Sequence, residues 1–355
     1  MRVLMIAPND PAGAAINLLK ALRAHGGVDA RLVTVTRRYD FRFERDIYVP
    51  DLCRRPDCDA AVLGPPTRGC VGCPRPAELG AGPYEEIRQL IRDADVVHFH
   101  VLANEQLQIG PLLVQDHLRP GTEIVHHHHG HPDFRANPVR YRTRYAVLGR
   151  RTLVSTPDLL RLLPEATWIP NCVPTSEPLY RPFEGERDPS RVVLSHSPTV
   201  RALKNTHELV TAVERVRATD PRLELELLEG MRHRECLERK RRSDLCFDHM
   251  QGYFGMSSLE ALSQGVPTIA GLDQWNKSEI SDFFGCESVP WLRARHGGEL
   301  TDLLRRLAAD PAQREAIGRN SRAFMENVWT EQRVAQGLIE FYEAGRAVSP
   351  RLAHG

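Results

Sequence analysis

The stretch that most constrains the fold is Asp244 to Leu272, DLCFDHMQGYFGMSSLEALSQGVPTIAGL. A short apolar run ends at Asp248, a loop marked by Gly252 and Gly255 follows, and a helical pattern led by Ser257 and Ser258 runs until Gly265. Val266 to Ala270 then reads as a buried strand. Strand, loop, helix, strand is the repeating unit of a parallel sheet covered by helices, and such a sheet binds ligands beyond the carboxyl ends of its strands. Loop amides and the positive end of a helix dipole can receive a phosphate there. Ser257 followed by Glu260 also spells a capping box, which would satisfy a helix start with no ligand present.

A chain of 355 residues has room for two domains, and the spacing places elements for both. In the first half, strands are expected at Val3 to Ala7, Ala30 to Thr36, Ala94 to His100, Glu123 to Val125 and Tyr145 to Ser155, with helices at Asn17 to His25, Tyr84 to Asp93 and Glu105 to His117. Residues 173–190 are rich in Pro and charge and read as a linker. Beyond it, Arg191 to His196 and Leu223 to Leu228 read as strands, and His207 to Arg217, Gly298 to Ala309, Pro311 to Trp329 and Thr330 to Ala344 as helices. Trp275 to Lys277 reads as a polar loop. The expected domains are residues 1–172, with a Cys-rich insertion at about 50–80, and residues 191–329, followed by a C-terminal helix over 330–355.

Lys plus Arg number 47 against 46 Asp plus Glu, so the charge balance does not suggest a nucleic-acid or other polyanion partner. No run reaches the apolar length of a membrane span, and MRVLMIAPND enters a strand at once, so a cytoplasmic enzyme is expected. Basic patches are three-dimensional, so peripheral membrane contact stays open. Four of the eight cysteines, Cys53, Cys58, Cys70 and Cys73, cluster with the spacing C-x4-C-x11-C-x2-C. That spacing suits a structural zinc, and an iron-sulfur cluster or one or two disulfides would use the same residues. Unliganded loop thiols are the competing reading. Four thiolates would leave no open position for catalysis. Cys172, Cys236, Cys246 and Cys286 read as ordinary packed residues.

The segment His126 to His131, HHHHGH, stands inside the chain, so it is no expression tag. Side chains alternate along a strand, so the four consecutive histidines cannot all face one ion. A metal site, a structural role and a place beside a substrate remain open for His129.

The stretch from Asp244 to Leu272 resembles the nucleotide-sugar signature of retaining glycosyltransferases of family 4, which have the GT-B fold. That fold is α/β, two Rossmann-like doubly wound domains facing a cleft. Glu260 matches the family Glu that binds the ribose hydroxyls, and Gly265 with Pro267 matches the turn behind it. The family's other Glu, eight positions earlier, is Gly252 here. A subset of the family shows Asp-Gln and then Gly-aromatic-aromatic-Gly, which Asp248, His249, Gly252, Tyr253, Phe254 and Gly255 follow. Lys204 matches the Lys that binds the donor diphosphate in a pattern resembling HSPT-x-R-x-x-KGT, with Arg201 as its Arg and Asn205 in place of Gly. The loop Pro8 to Ala15, with Gly13, occupies the place of the glycine-rich loop that the family directs at donor phosphates and acceptor. His127, His129, Gly130 and Arg135 resemble a His-x-His-Gly and following Arg at the cleft, Ile169 to Asn171 the exit from the first domain, and Trp329 the aromatic residue before a helix that crosses back. The likeness covers most of the chain and is strongest from Arg191 to Ala344.

The resemblance implies transfer of a sugar from a nucleotide-diphosphate sugar of UDP or GDP type to an unknown acceptor, with retention and without a catalytic metal. It implies Lys204, Arg201 and His129 at the reacting groups. The donor would lie against Gly13, Lys204, Gly255, Met256, Ser257, Ser258 and Glu260. Two other classes remain in view: a catalytically weak GT-B-like protein that binds a nucleotide or partner, and a nucleotide-sugar epimerase.

Overall fold

A computed structural model describes residues 1–10, 12–35, 44–52 and 84–348. The four clustered cysteines lie outside the described residues. The chain divides into two compact units, Met1–Asn171 together with the chain from Gln332 onward, and Cys172–Glu331.

The first unit is built on a seven-stranded sheet. In chain order its elements are β1 (Arg2–Ala7), α1 (Ala14–His25), β2 (Asp29–Thr34), β3 (Ile47–Tyr48), α2 (Val49–Leu52), α3 (Glu85–Asp93), β4 (Val96–His100), β5 (Gln108–Ile109), β6 (Leu112–Leu113), β7 (Glu123–His128), α4 (Pro132–Ala136), α5 (Pro138–Leu148), β8 (Arg151–Val154) and β9 (Thr167–Trp168). The main sheet runs β3-β2-β1-β4-β7-β8-β9 with every neighbour parallel. Strand order therefore reverses between β1 and β4, the switch point at which open α/β sheets bind ligands. β1 is apolar from Val3 to Ala7 because both faces are covered.

The second unit contains β10 (Val192–His196), α6 (Thr206–Arg217), β11 (Leu223–Leu227), α7 (His233–Lys240), β12 (Leu245–Phe247), α8 (Met256–Ser263), β13 (Thr268–Ala270), α9 (Gln274–Phe284), β14 (Leu292–Arg293), α10 (Gly297–Ala309) and α11 (Pro311–Asn327). Its parallel sheet runs β11-β10-β12-β13-β14, so the switch point lies between β10 and β12. Trp329 closes this unit, buried among Phe254, Phe284, Trp291 and Phe324. Residues 173–190, expected to link the domains, are held on it. Ser263 and Gln264 donate to the carbonyls of Tyr180 and Leu179, and Arg322 donates to those of Thr175 and Tyr180.

The last helix, α12 (Glu331–Val348), rejoins the first unit. Val334, Ala335, Leu338 and Tyr342 are buried at helical spacing, and the Tyr342 hydroxyl is hydrogen-bonded to His98 Nδ1 at 2.6 Å.

Several expected elements differ. Glu105 to His117, read as a helix, is a hairpin of β5 and β6 followed by a single helical turn at Val114–His117. Gly110 takes φ 56° ahead of Pro111, and that pair turns the chain back where leucine periodicity suggested continuation. Tyr145 to Ser155 is half helix: α5 runs through Leu148, ends at the left-handed Gly149, and only then does β8 begin. Trp275 to Lys277 belongs to α9, whose start is capped by the Asp273 carboxylate accepting from the Asn276 amide.

Candidate functional site

The second unit's switch point is lined by the loop after β10 and the loop after β12. The first carries Lys204 into Asn205, which adopts the left-handed conformation at φ 52°. Asn is among the few non-glycine residues that tolerate it, so this position keeps the turn for which the resembling pattern has Gly. The Asn205 side chain also ties the two loops together, its carbonyl oxygen accepting from the Met250 amide at 2.9 Å.

Asp248 stands at the carboxyl end of β12 and is 2% exposed. Its Oδ1 accepts from Lys204 Nζ at 2.7 Å, and its Oδ2 from the Gly255 amide at 2.5 Å and the Ser258 hydroxyl at 2.7 Å. Burial would raise the carboxyl's pKa, but the Lys204 charge, with His249 and the hydrogen bonds, holds it far below the ordinary range. Asp248 is thus a fixed anion that aims the Lys204 ammonium at the start of α8. Gly255 is needed there for space: a Cβ would stand 2.9 Å from Lys204 Nζ and 3.2 Å from an Asp248 oxygen. Gly255→Ala is therefore expected to push Lys204 off Asp248 and to destabilise the protein by ~1.5–3 kcal/mol, the worth of one hydrogen bond to a charged group. Urea unfolding of the variant checks this.

The four amides from Gly255 to Ser258 are not equivalent. That of Gly255 is taken by Asp248 and that of Ser258 by the Gly255 carbonyl, which leaves Met256 and Ser257 as the pair that opens α8. The capping-box reading of Ser257 and Glu260 is not realised, because Gly255 is the cap residue and Glu260 turns elsewhere. Glu260 is buried. Its Oε2 accepts from Lys240 Nζ at 2.5 Å and its Oε1 from His233 Nε2 at 2.7 Å. Lys240 also donates to Ser257 Oγ, which is hydrogen-bonded to Ser197 Oγ. Burial opposes ionisation of Glu260, but the charges of Lys240 and then His233 prevail and lower its pKa to about 2. Each Glu260 oxygen has two acceptor sites, so a carboxylate pinned in this way can still receive hydroxyls from a ligand.

The sequence pattern gives Lys240 no role; Asp248 enters only as part of the resembling loop pattern, and Glu229 to His233 only as the segment at which the family packs the base. The available signal was the spacing of His233 and Lys240, two turns apart on α7 and so on one face. Arg201, one turn before Lys204, is exposed and forks onto the Glu229 carboxylate, with Nε 2.9 Å from Oε1. Gly252 has φ 91°, which a Glu would adopt only under strain, so the loop is built for Gly. A Cβ there would lie 3.8 Å from Asp273 Oδ2, so a carboxylate does approach this spot from the loop before α9.

Gly13 and His129 belong to the first unit. Gly13, at φ 66°, is the residue before α1, but the carboxylate of Asp10 accepts from the Ala15 and Ile16 amides at 3.2 and 2.9 Å. A phosphate at that helix start would have to displace Asp10. His129 Nε2 lies 2.9 Å from His100 Nδ1, and burial lowers the His129 pKa to about 4, so the ring is neutral. Arg135 is held by Asp158 and the Gly130 carbonyl.

No family model and no curated protein matches the sequence. Solved structures do match. Anabaena HepE, in a complex with UDP and glucose, is 13% identical over 97% of this chain and 99% of its own, with a TM-score of 0.61. A glycosyltransferase from Rickettsia africae is 11% identical over 97% and 98%, with a TM-score of 0.59. The fold is GT-B. S. aureus TarM, in a complex containing UDP, is 14% identical with a TM-score of 0.53; the match covers 73% of this chain and 57% of TarM. In GT-B terms both units are Rossmann-like α/β domains, and the lysine, glutamate and helix start gather at the switch point of the second. Among the described residues no helix is long and apolar enough to cross a membrane.

Proposed function

We propose that this protein transfers a sugar from a nucleoside diphosphate sugar to an acceptor hydroxyl, with retention of anomeric configuration. The observation that carries the reading is Lys204, fixed by the buried Asp248, whose other oxygen accepts from the Gly255 amide at the start of α8. Cleavage of the bond from anomeric carbon to diphosphate leaves negative charge on the phosphate. A cation and a helix start already oriented there stabilise that charge without reorganising. The acceptor oxygen attacks the face from which the diphosphate departs, and the departing phosphate takes the acceptor's proton, so no side-chain nucleophile is used. No divalent ion is required at the diphosphate, because Lys204 and the amides supply the positive charge. Glu260 would receive the ribose hydroxyls while Lys240 and His233 hold it. Arg201 is paired on the surface, where solvent screens an ion pair and leaves it weak, so a diphosphate can compete for it. The complexes of HepE and TarM with UDP favour a UDP-type donor.

A second reading, nucleotide binding with little turnover, is favoured by Gly252 standing where a sugar-binding Glu would be and by Arg201 turning to Glu229. One experiment separates the two. UDP, GDP, TDP and ADP and their sugars are screened by thermal shift, and nucleoside diphosphate release is followed for every sugar that binds. A shift with slow release of the diphosphate is expected for one base. A shift without release supports the second reading, and no shift with any of them overturns both.

A further inference from the structure

The sheet of the first unit carries a group of histidines, of which the resemblance gives a role at the reacting groups to His129 alone. Strands β4 and β7 are parallel neighbours in the register Phe99 with His126 and His100 with His127. Alternation therefore splits the histidine run between two faces. His126 stacks on Phe99, and His128 stacks on Phe134 and is hydrogen-bonded to the Tyr145 hydroxyl, on one side. On the other side His127 and His129 meet His98 and His100 of β4, with ring centroids 4.2 to 5.4 Å apart.

His98, His100 and His127 are at most 1% exposed, and one ring nitrogen from each falls within 4.8 Å of the other two. Among the described residues His98 Nε2, His100 Nε2 and both nitrogens of His127 have no hydrogen-bond partner. A buried polar atom left without a partner is costly, and these are carried by the three rings that each bring a nitrogen within 4.8 Å of the other two. The remaining nitrogens of two rings are already engaged: His98 Nδ1 with the Tyr342 hydroxyl at 2.6 Å, and His100 Nδ1 with His129 Nε2 at 2.9 Å. Metal-bound imidazoles are commonly held in this way, one nitrogen hydrogen-bonded to a neighbouring side chain that sets the tautomer and the other on the ion.

We infer that His98, His100 and His127 form a binding site for a divalent transition-metal ion of the zinc class, with His98 and His100 ligating through Nε2. Imidazole nitrogens suit zinc, copper, nickel and iron, and exclude calcium and magnesium, which take oxygen ligands. Tyr342 and His129 are positioning residues that orient two of the ligands. The histidines belong to the first unit and Lys204 to the second, and none of the three ligands is used in the proposed transfer, so the inference stands whether or not that reading holds.

The test uses the full chain, loaded with zinc and dialysed, and metal content is read by mass spectrometry. His98→Gln and His127→Asn are expected each to lose one equivalent relative to the parent protein, and His128→Asn, on the opposite face, to keep it. Tyr342→Phe is expected to keep the site but bind zinc 10- to 100-fold more weakly, roughly the effect of losing such a hydrogen-bond partner. Equal metal content in all variants, or no zinc in the parent protein, overturns the inference. Zinc K-edge absorption of the parent protein guards against variants that fail to fold. Imidazole scattering is expected, and scattering from sulfur alone overturns the site.

Discussion

Lys204→Ala is expected to lower kcat for sugar transfer about 100- to 1000-fold, the usual loss when one oriented electrostatic donor is removed from a transition state that develops charge. In the proposed transfer the ammonium meets more negative charge in the transition state than in the bound donor, so kcat should fall more than the donor KM rises. Glu260→Gln should do the reverse if Glu260 receives the ribose hydroxyls as proposed, because those hydroxyls carry the same charge before and during cleavage. Removing Lys204 also strands the Asp248 carboxylate, which keeps only the Gly255 amide and the Ser258 hydroxyl as strong partners. Lys204→Ala combined with Asp248→Asn relieves that burden, and if the catalytic loss is electrostatic the double variant stays as slow as the single one. Stopped-flow measurement of nucleoside diphosphate release in the three proteins decides the matter. An unchanged kcat in Lys204→Ala would remove Lys204 from the chemistry.

The resemblance points to this stretch because its carriers are local in sequence. A lysine between a strand and a helix, and a Gly-aromatic-aromatic-Gly loop ahead of a small-residue helix, are patterns that survive without tertiary contacts. What holds those residues in place is nonlocal and was not legible. Asp248 reaches Lys204 across 44 residues, and Lys240 reaches Glu260 across 20 from a helix with few apolar residues to mark it. The histidine run shows the same limit. Alternation along one strand excluded four ligands on a single ion, but the partners on the adjacent strand come from a different part of the chain, and only the register of β4 against β7 puts His98 and His100 beside His127. Over Glu105 to His117 the helical pattern gives way to Gly110-Pro111, a pair whose backbone requirement is stronger than the periodicity around it.

Lys240→Met is expected to destabilise the protein by about 3–5 kcal/mol, the cost of removing one member of a buried ion pair and leaving the other. Lys240 is 1% exposed; burial alone would lower its pKa, and the Glu260 carboxylate overrides that and keeps it charged. The pH dependence follows from Glu260, whose pKa is lowered from 4.5 to about 2 in the folded protein. A carboxyl with a depressed folded pKa contributes stability that is complete above its unfolded value and is lost as pH falls through the folded one. The contribution therefore fades between pH 4.5 and about 2. In Lys240→Met the largest charge holding Glu260 ionised is gone, burial dominates, and the carboxyl takes up its proton at a higher pH. The stability gap between parent and variant is thus widest near neutral pH and narrows on acidification, while the Asp248 contribution, common to both, cancels. Lys240→Met with Glu260→Leu should recover most of the lost stability, because an apolar pair of similar volume leaves no uncompensated charge. Urea unfolding of the three proteins at neutral and acid pH tests this. A single variant that unfolds at the parent midpoint would mean that Lys240 and Glu260 are not a buried pair.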